Sequence, residues 1–249
     1  MKIPFFSIII PTLNEEKFLP KLLQSLAEQT DKNFEVIVVD GKSKDKTVEV
    51  AKKFEKKLQS LRVIIAEKAS LPYQRNLGAK NAKSEWFVFV DADTVLLPHC
   101  LKQSKTFINK EKPDLFTSWF CADSESQGDA VSALLGNIIT EVYLMLHKPC
   151  MPGPFAVVSK KAYDFVGGYD EEHAHHEDFD FSIRVFRAGF RVRILHETNF
   201  IISYRRIRKD GMIRVLGTYM RTTLHLFLFN KTVKSMPGYI MGGHLYNKK

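Results

Sequence analysis

Short, continuous apolar runs alternate with helically spaced apolar stripes along the first ninety or so residues. The runs at 6–10, 34–39, 62–66 and 85–90 are rich in Ile, Val and Phe, a pattern that predicts strands buried on both faces. Between the first two, Asn14-Glu15-Glu16 opens a predicted helix whose apolar face is Phe18, Leu19, Leu22, Leu23 and Leu26. Residues 47–61, with a Lys-rich outer face, and 71–82 predict two more helices. Strands alternating with helices of this length imply βαβ units and a mostly parallel, doubly wound α/β sheet.

The pattern changes after Pro113. A strand is predicted over 114–121, an apolar helix over 130–147, and a break at Met151-Pro152-Gly153-Pro154. A strand at 155–159, a short helix at 160–166, a turn at Gly167-Gly168, a helix over 178–188 closed by Gly189, and a strand at 191–195 follow. The expected organisation is one unit over 1–209, with a doubly wound nucleotide-binding half (1–113) and a second half (114–209) that the resemblance set out below makes the acceptor side, then a tail over 210–249. In that tail Ile213, Leu216, Met220, Leu224, Phe227 and Leu228 form a stripe flanked by Arg208, Lys209, Arg214, Arg221 and Lys231. Such a helix suits either an anionic membrane surface or packing on the sheet.

Composition narrows the picture. The 249 residues are 45% apolar, enough for a sizeable core, and 37 basic against 28 acidic residues give a formal charge of +9. A basic chain favours anionic partners. The basic residues are scattered and no zinc-finger, helix-turn-helix or RNA-binding motif occurs, which argues against nucleic acid. Cys100, Cys121 and Cys150 are far apart and odd in number, so no disulfide framework is expected. The amino terminus runs straight into a strand, and no stretch reaches the roughly 18 uninterrupted apolar residues of a membrane span. A cytoplasmic protein, peripheral on the inner face of the cell membrane if bound there, is the expectation.

Asp91-Ala92-Asp93 directly follows the fourth predicted strand. Carboxylates at the carboxyl end of such a strand emerge where open α/β sheets bind ligands. Two of them one residue apart can hold a hard divalent cation, which in turn can hold a diphosphate. Three further clusters follow the same logic: Asp40-Gly41-Lys42-Ser43-Lys44-Asp45, Glu177-Asp178-Phe179-Asp180 and Arg205-Arg206.

In this order, with Ser7-Ile8-Ile9-Ile10-Pro11-Thr12-Leu13-Asn14-Glu15, Gln74-Arg75-Asn76-Leu77-Gly78-Ala79 and Gly167-Gly168-Tyr169-Asp170-Glu171, the clusters resemble the motifs of a family 2 glycosyltransferase of GT-A fold. The resemblance covers about residues 6–206. It implies a metal-dependent, inverting transfer of sugar from a UDP or GDP sugar to a glycan or lipid-linked hydroxyl, polyprenyl phosphates included. It further implies Mn²⁺ or Mg²⁺ at Asp93 with Asp91 nearby, and a nucleotide pocket lined by Pro11, Glu15 and Asp40. Asp178 falls at the position of the base that takes the acceptor proton, and Glu177 at one that positions acceptor or metal ligands. Arg205 or Arg206 would clamp the departing diphosphate, and Arg75 could meet it as well. Gly41 departs from the pattern, since many relatives carry a second acidic residue there that contacts the base.

Each residue also has a structural reading. Glu15 suits a helix amino-terminal charge, Asp40 a strand-end turn, Arg75 a solvated helix position, Asp178 a helix cap, and Arg205-Arg206 a surface charge pair. Asp180 reads as structural. His173, His175 and His176 lack a second matched cluster, so a solvated or acceptor-facing loop is expected there rather than zinc. Two other functions fit a similar scaffold: a nucleotidyltransferase, against which stands the absence of Gly from 11–16, and a catalytically silent membrane-surface binding protein.

Overall fold

The computed structural model describes residues 3–58, 60–173, 176–212, 215 and 217. Its strands are β1 (Phe6–Thr12), β2 (Phe34–Asp40), β3 (Leu61–Ile65), β4 (Trp86–Val90), β5 (Val95–Leu96), β6 (Leu115–Ala122), β7 (Phe155–Ser159) and β8 (Val192–Ile202). They form one sheet in the order β3-β2-β1-β4-β7-β6-β8-β5, so strands from both sides of residue 113 share it. The first four are parallel; β7 runs antiparallel to β4 and β6, and β5 antiparallel to β8. The α/β, mostly parallel class read from the sequence is the class observed.

The helices are α1 (Leu19–Ala27), α2 (Thr47–Lys53), α3 (Leu71–Lys80), α4 (Cys100–Glu111), α5 (Gln127–Met145), α6 (Lys160–Phe165), α7 (Glu177–Arg187) and α8 (Arg205–Asp210). Alternate strand residues feed two cores. Ile8, Ile10, Val36, Val38 and Val88 pack with Leu19, Leu22 and Leu23 of α1 and with Leu101 and Ile108 of α4. Ile9, Ile37, Val39, Phe87 and Phe89 pack on the other face with Ala79 of α3 and with Phe181 and Val185 of α7. Both faces of the central strands are therefore covered, which is why they read as unbroken apolar runs.

Several elements differ from expectation, among them β5 and α8, which were not anticipated. α1 starts at Leu19 rather than near Asn14, because Pro20 has no N–H and is tolerated only in a first turn. Glu15 precedes that start, its carbonyl accepting from Phe18 N at 3.1 Å and from Leu19 N at 2.9 Å. The helix after Thr47 stops at Lys53, and a short 3-10 turn (Phe54–Lys56) brings the chain back for β3 to begin at Leu61. α4 was not anticipated: apart from Cys100, Leu101 and Ile108 its buried side is contributed by Ser104, too sparse an apolar stripe to announce a helix. β8 runs to Ile202 through irregular pairing with β6 near Trp119, which hides its alternation. The amphipathic helix expected from Asp210 onward lies mostly outside the described residues; within them α8 ends at Asp210.

Parallel pairing of β1, β2 and β4 brings Thr12, Asp40 and the turn after Val90 to one edge of the sheet. The helix α3 is held close beneath that edge. A Cβ added at Gly78 would lie 2.4 Å from Ile9 Cγ2, so only glycine permits this approach. Gly78→Ala is expected to destabilise the protein by about 1–3 kcal/mol through overpacking, measured as a lower urea midpoint with unchanged slope.

Candidate active site

The loop after β1 and the turn after β2 lock into each other. Asp40 is buried; its Oδ1 accepts from Thr12 Oγ1 at 3.1 Å and Ser43 Oγ at 2.5 Å, and its Oδ2 accepts from Ser43 N at 2.8 Å. Gly41 donates its N–H to Thr12 O at 2.8 Å, and Gln74 Nε2 of α3 bridges Thr12 O and Val39 O. Pro11 is buried one residue before Thr12 in β1. Asp40 thus does act as a turn residue, and the same turn builds the floor of a cleft at the strand ends.

Glu15 leaves this loop toward α8. Arg205 donates two hydrogen bonds of 2.8 Å to its carboxylate, and its Nε makes an ion pair of 2.9 Å with Asp93 Oδ2. The surface-pair reading of Arg205 is therefore wrong: its side chain is mostly buried and belongs to the cleft. Arg206, next on α8, is half-buried. Burial pushes the Asp93 carboxyl up to about 7, opposed by Arg205 and reinforced by the neighbouring Asp91 and Glu15 carboxylates. Burial likewise raises Glu15 against the pull of Arg205.

Asp91 is held from the opposite side. Arg75, only 1% exposed, donates to Asp91 Oδ1 at 3.0 Å, to Glu177 Oε1 at 2.8 Å and to Gly153 O at 3.3 Å, with its guanidinium 5.1 Å from the Tyr169 ring centroid. A solvated position for Arg75 is excluded. Burial works against its charge, yet Tyr169, Asp91, Glu177 and Asp178 hold its pKa above the ordinary value. Burial, and next the Asp178 charge, push the Glu177 carboxyl up to about 7 despite Arg75.

Asp178 is not a helix cap. α7 begins at Glu177 after His176, which takes a left-handed backbone conformation at φ 55°, so Asp178 lies within the first turn. Its Oδ1 accepts from Phe179 N at 2.9 Å and its Oδ2 from Gly153 N at 2.9 Å. Asp180, as expected, is structural and pairs with Arg184 at 2.7 Å. His173 is buried against Asp170 at 2.9 Å, so it is not a solvated loop residue; His175 lies outside the described residues. Among the described residues Asp170, His173 and Asp180 bring ligand atoms within 4.8 Å of one another; Asp170 contacts His173 at 2.9 Å and Asp180 is already paired with Arg184.

Gly153 was legible in the sequence only as a chain breaker, and it proves central. A Cβ there would lie 3.0 Å from Arg75 Nη2, 3.4 Å from Asp178 Oδ2 and 3.8 Å from Asp91 Oδ2. Its flanking prolines were the signal: Pro154 O accepts from Asp91 N at 3.4 Å and Thr94 Oγ1 at 3.3 Å, fastening this loop to the Asp91–Asp93 turn. Asp91 and Asp93 offer hard oxygen ligands, with Glu15 adding charge beside them. Two carboxylates leave room for waters and phosphate oxygens, as a Mg²⁺- or Mn²⁺-type site requires. The residues present fit such an ion.

Paired aspartates after β4 and a carboxylate at the start of α7 stand on an α/β scaffold of GT-A type. The chain belongs to glycosyl transferase family 2, whose sequence profile matches residues 7–167. It is 28% identical over 224 residues to the dolichyl N-acetyl-alpha-D-glucosaminyl phosphate 3-beta-D-2,3-diacetamido-2,3-dideoxy-beta-D-glucuronosyltransferase of Methanococcus voltae, covering 80% of this chain and 66% of that protein. It is 36% identical over 113 residues to the poly(ribitol-phosphate) beta-N-acetylglucosaminyltransferase TarS of Staphylococcus aureus, covering 44% of this chain and 20% of TarS. The chain thus spans less than two thirds of these relatives. Among solved structures, S. aureus TarS 1–349 in complex with UDP-GlcNAc superposes with a TM-score of 0.66 at 24% identity over 80% of this chain and 58% of that one. The mannosyltransferase PcManGT of Pyrobaculum calidifontis, in complex with GDP-Man and Mn²⁺, superposes with a TM-score of 0.62 at 16% identity over 89% and 65%.

Removing the Arg75 charge strands Glu177 and Asp91. Arg75→Ala is expected to cost about 3–5 kcal/mol, the range for breaking a buried ion pair, read by urea denaturation. Lysine is not expected to restore it, lacking the planar fork that reaches two carboxylates. Glu177 makes a pH prediction. Its folded pKa lies above its ordinary 4.5, so its stabilising, protonated form is fully present below about pH 4.5 and is lost as pH rises through about 7. In chelator-containing buffer the melting temperature of Glu177→Gln should fall less steeply between pH 5 and 8 than that of the parent. An equal or steeper fall by calorimetry would contradict this assignment.

Proposed function

We propose that this chain transfers a sugar from a nucleoside-diphosphate sugar to an acceptor hydroxyl, in a single displacement that inverts the anomeric carbon. The observation that carries the reading is the convergence of Asp91 and Asp178 on Gly153, which puts donor-side and acceptor-side carboxylates around one glycine. Pro11, Glu15 and Asp40 frame the nucleotide, and Arg75 fixes Asp91 while its charge faces the donor side. As the acceptor oxygen attacks the anomeric carbon, its proton passes to the Asp178 carboxylate and the bond to the diphosphate oxygen breaks, the electron pair leaving with the nucleoside diphosphate. The Gly153 and Phe179 N–H groups hold that carboxylate in place while it works. Glu177 positions the acceptor beside it, and Arg205 or Arg206 takes up the departing diphosphate charge.

A Mn²⁺ or Mg²⁺ held by Asp93 and Asp91 would act as a Lewis acid on the diphosphate. A UDP sugar is the first donor to test and a GDP sugar the second, because the superposed TarS and PcManGT structures carry UDP-GlcNAc and GDP-Man. The dolichyl phosphate in the name of the M. voltae relative supports a lipid-linked acceptor. With such an acceptor the protein would work from the inner face of the membrane. Among the described residues no helix is long and apolar enough to cross a membrane.

Asp178→Asn keeps the shape of the side chain and loses its basicity. It should bind UDP-GlcNAc with Mn²⁺ near the parental affinity while transfer falls by roughly 10²-fold or more. Asp93→Ala should lose both activity and metal-dependent nucleotide binding. Isothermal titration, turnover and the anomeric configuration of the product test all three statements. Near-normal transfer by folded Asp178→Asn, or a retained configuration, overturns the mechanism; parental donor hydrolysis by Asp93→Ala in chelator overturns the metal assignment.

A further inference from the structure

Each of the two aspartates after β4 is gripped by an arginine, but the grips differ. Arg75 holds Asp91 from inside the protein, and Glu177 and the Gly153 carbonyl fix the same guanidinium. Arg205 reaches Asp93 from the rim, with 15% of its side chain exposed and 19% of that of Asp93, so solutes can reach the pair. Its Nε lies 2.9 Å from Asp93 Oδ2. Its two terminal nitrogens each donate to Glu15 at 2.8 Å, and the guanidinium stands 4.4 Å from the centroid of the Phe18 ring. Asp93 is thus one of three holds on Arg205, and the other two do not depend on it.

Helix α8 does not depend on Asp93 either. Asp123 accepts from Ser203 Oγ at 3.2 Å, from Tyr204 N at 2.8 Å and from both terminal nitrogens of Arg208 at 2.8 and 2.9 Å. Ser132 Oγ donates to Tyr204 Oη at 2.9 Å. Arg205 can therefore let go of Asp93 by a movement of its side chain alone. A divalent cation calls on the same carboxylate. Whichever oxygen the ion takes, a guanidinium on that group is a like charge at short range, in a partly buried setting where screening is weak. The ion and the Arg205 contact cannot both hold Asp93 at full strength, and each weakens the other by the same factor.

We propose that Arg205 is a built-in competitor of the divalent cation at Asp93, and that it couples cation binding to nucleoside-diphosphate binding. A cation at Asp93 frees the Arg205 charge for the diphosphate. A diphosphate that engages Arg205 in turn leaves Asp93 to the cation, so each ligand favours the other beyond any contact between them. The competition rests on the metal assignment at Asp93, and the coupling also on the nucleotide-sugar reading.

The test is Mn²⁺ binding to the full chain, read from the electron paramagnetic resonance signal of the free ion, with and without UDP and with no turnover involved. Without UDP, Arg205→Gln should bind Mn²⁺ at least about five-fold more tightly than the parent, the low end of ordinary coupling between sites. Glu15→Gln/Arg205→Gln preserves the net charge of the cleft and strands no buried carboxylate. It should also bind more tightly than the parent, and it serves if the single variant does not fold. Arg208→Gln removes the same charge from α8 without touching Asp93, and should bind as the parent does. UDP should tighten Mn²⁺ binding by a larger factor in the parent than in Arg205→Gln.

Parental or weaker Mn²⁺ binding by a folded Arg205 variant, or an equal gain in Arg208→Gln, overturns the competition. A UDP factor equal in the parent and in Arg205→Gln overturns the coupling. Asp93→Ala separates this failure from that of the metal assignment. If Asp93→Ala binds Mn²⁺ as the parent does, the assignment falls and takes the proposal with it. If it loses Mn²⁺ while the Arg205 variants gain nothing, only the proposal falls. Mn²⁺ affinity that UDP leaves unchanged in every chain counts against the nucleotide-sugar reading and ends the coupling, while a gain in the Arg205 variants would still support the competition.

Discussion

A guanidinium with 1% of its surface exposed persists only where carboxylates surround it, and Arg75 is the point at which separate parts of this chain are obliged to meet. It rises from α3, reaches the turn after β4 through Asp91, the start of α7 through Glu177 and the loop before β7 through the Gly153 carbonyl. The ionic contacts work because α3 is seated on β1 by the missing side chain at Gly78, which fixes the height from which Arg75 extends. Packing at the base of the helix and charge at its tip are thus one device.

The same device explains why Asp178 is well placed although no cation grips it directly. Its carboxylate is held by two backbone N–H groups, those of Gly153 and Phe179, and the first belongs to the loop that Arg75 restrains. The carboxylate is thereby oriented by backbone donors, which suits the proton-accepting role proposed for it.

The central strands and the acidic turn were legible in the sequence because burial on both faces writes an unbroken apolar run, and because Asp91 and Asp93 stand immediately after one. Glu15, Asp40 and Asp178 were legible from order along the chain. What was hidden depends on partners distant in sequence. α4 buries too few apolar groups to betray its period, and β8 loses its alternation where its register with β6 shifts on either side of Trp119. Arg75 and Arg205 could be taken for surface charges, since nothing local distinguishes an exposed arginine from one closed in by residues a hundred or more positions away.

Arg205 joins Glu15 across 190 residues and sits in the last described helix. During synthesis, the loop bearing Glu15 and the turn bearing Asp93 leave the ribosome long before their counter-charge exists. Until then Glu15 and Asp93 lack the one guanidinium that pairs with both of them in the finished fold. Completion of the cleft is in effect a late step that reports the arrival of α8. A chain interrupted before that helix would carry every acidic group of the site and still lack its closed form.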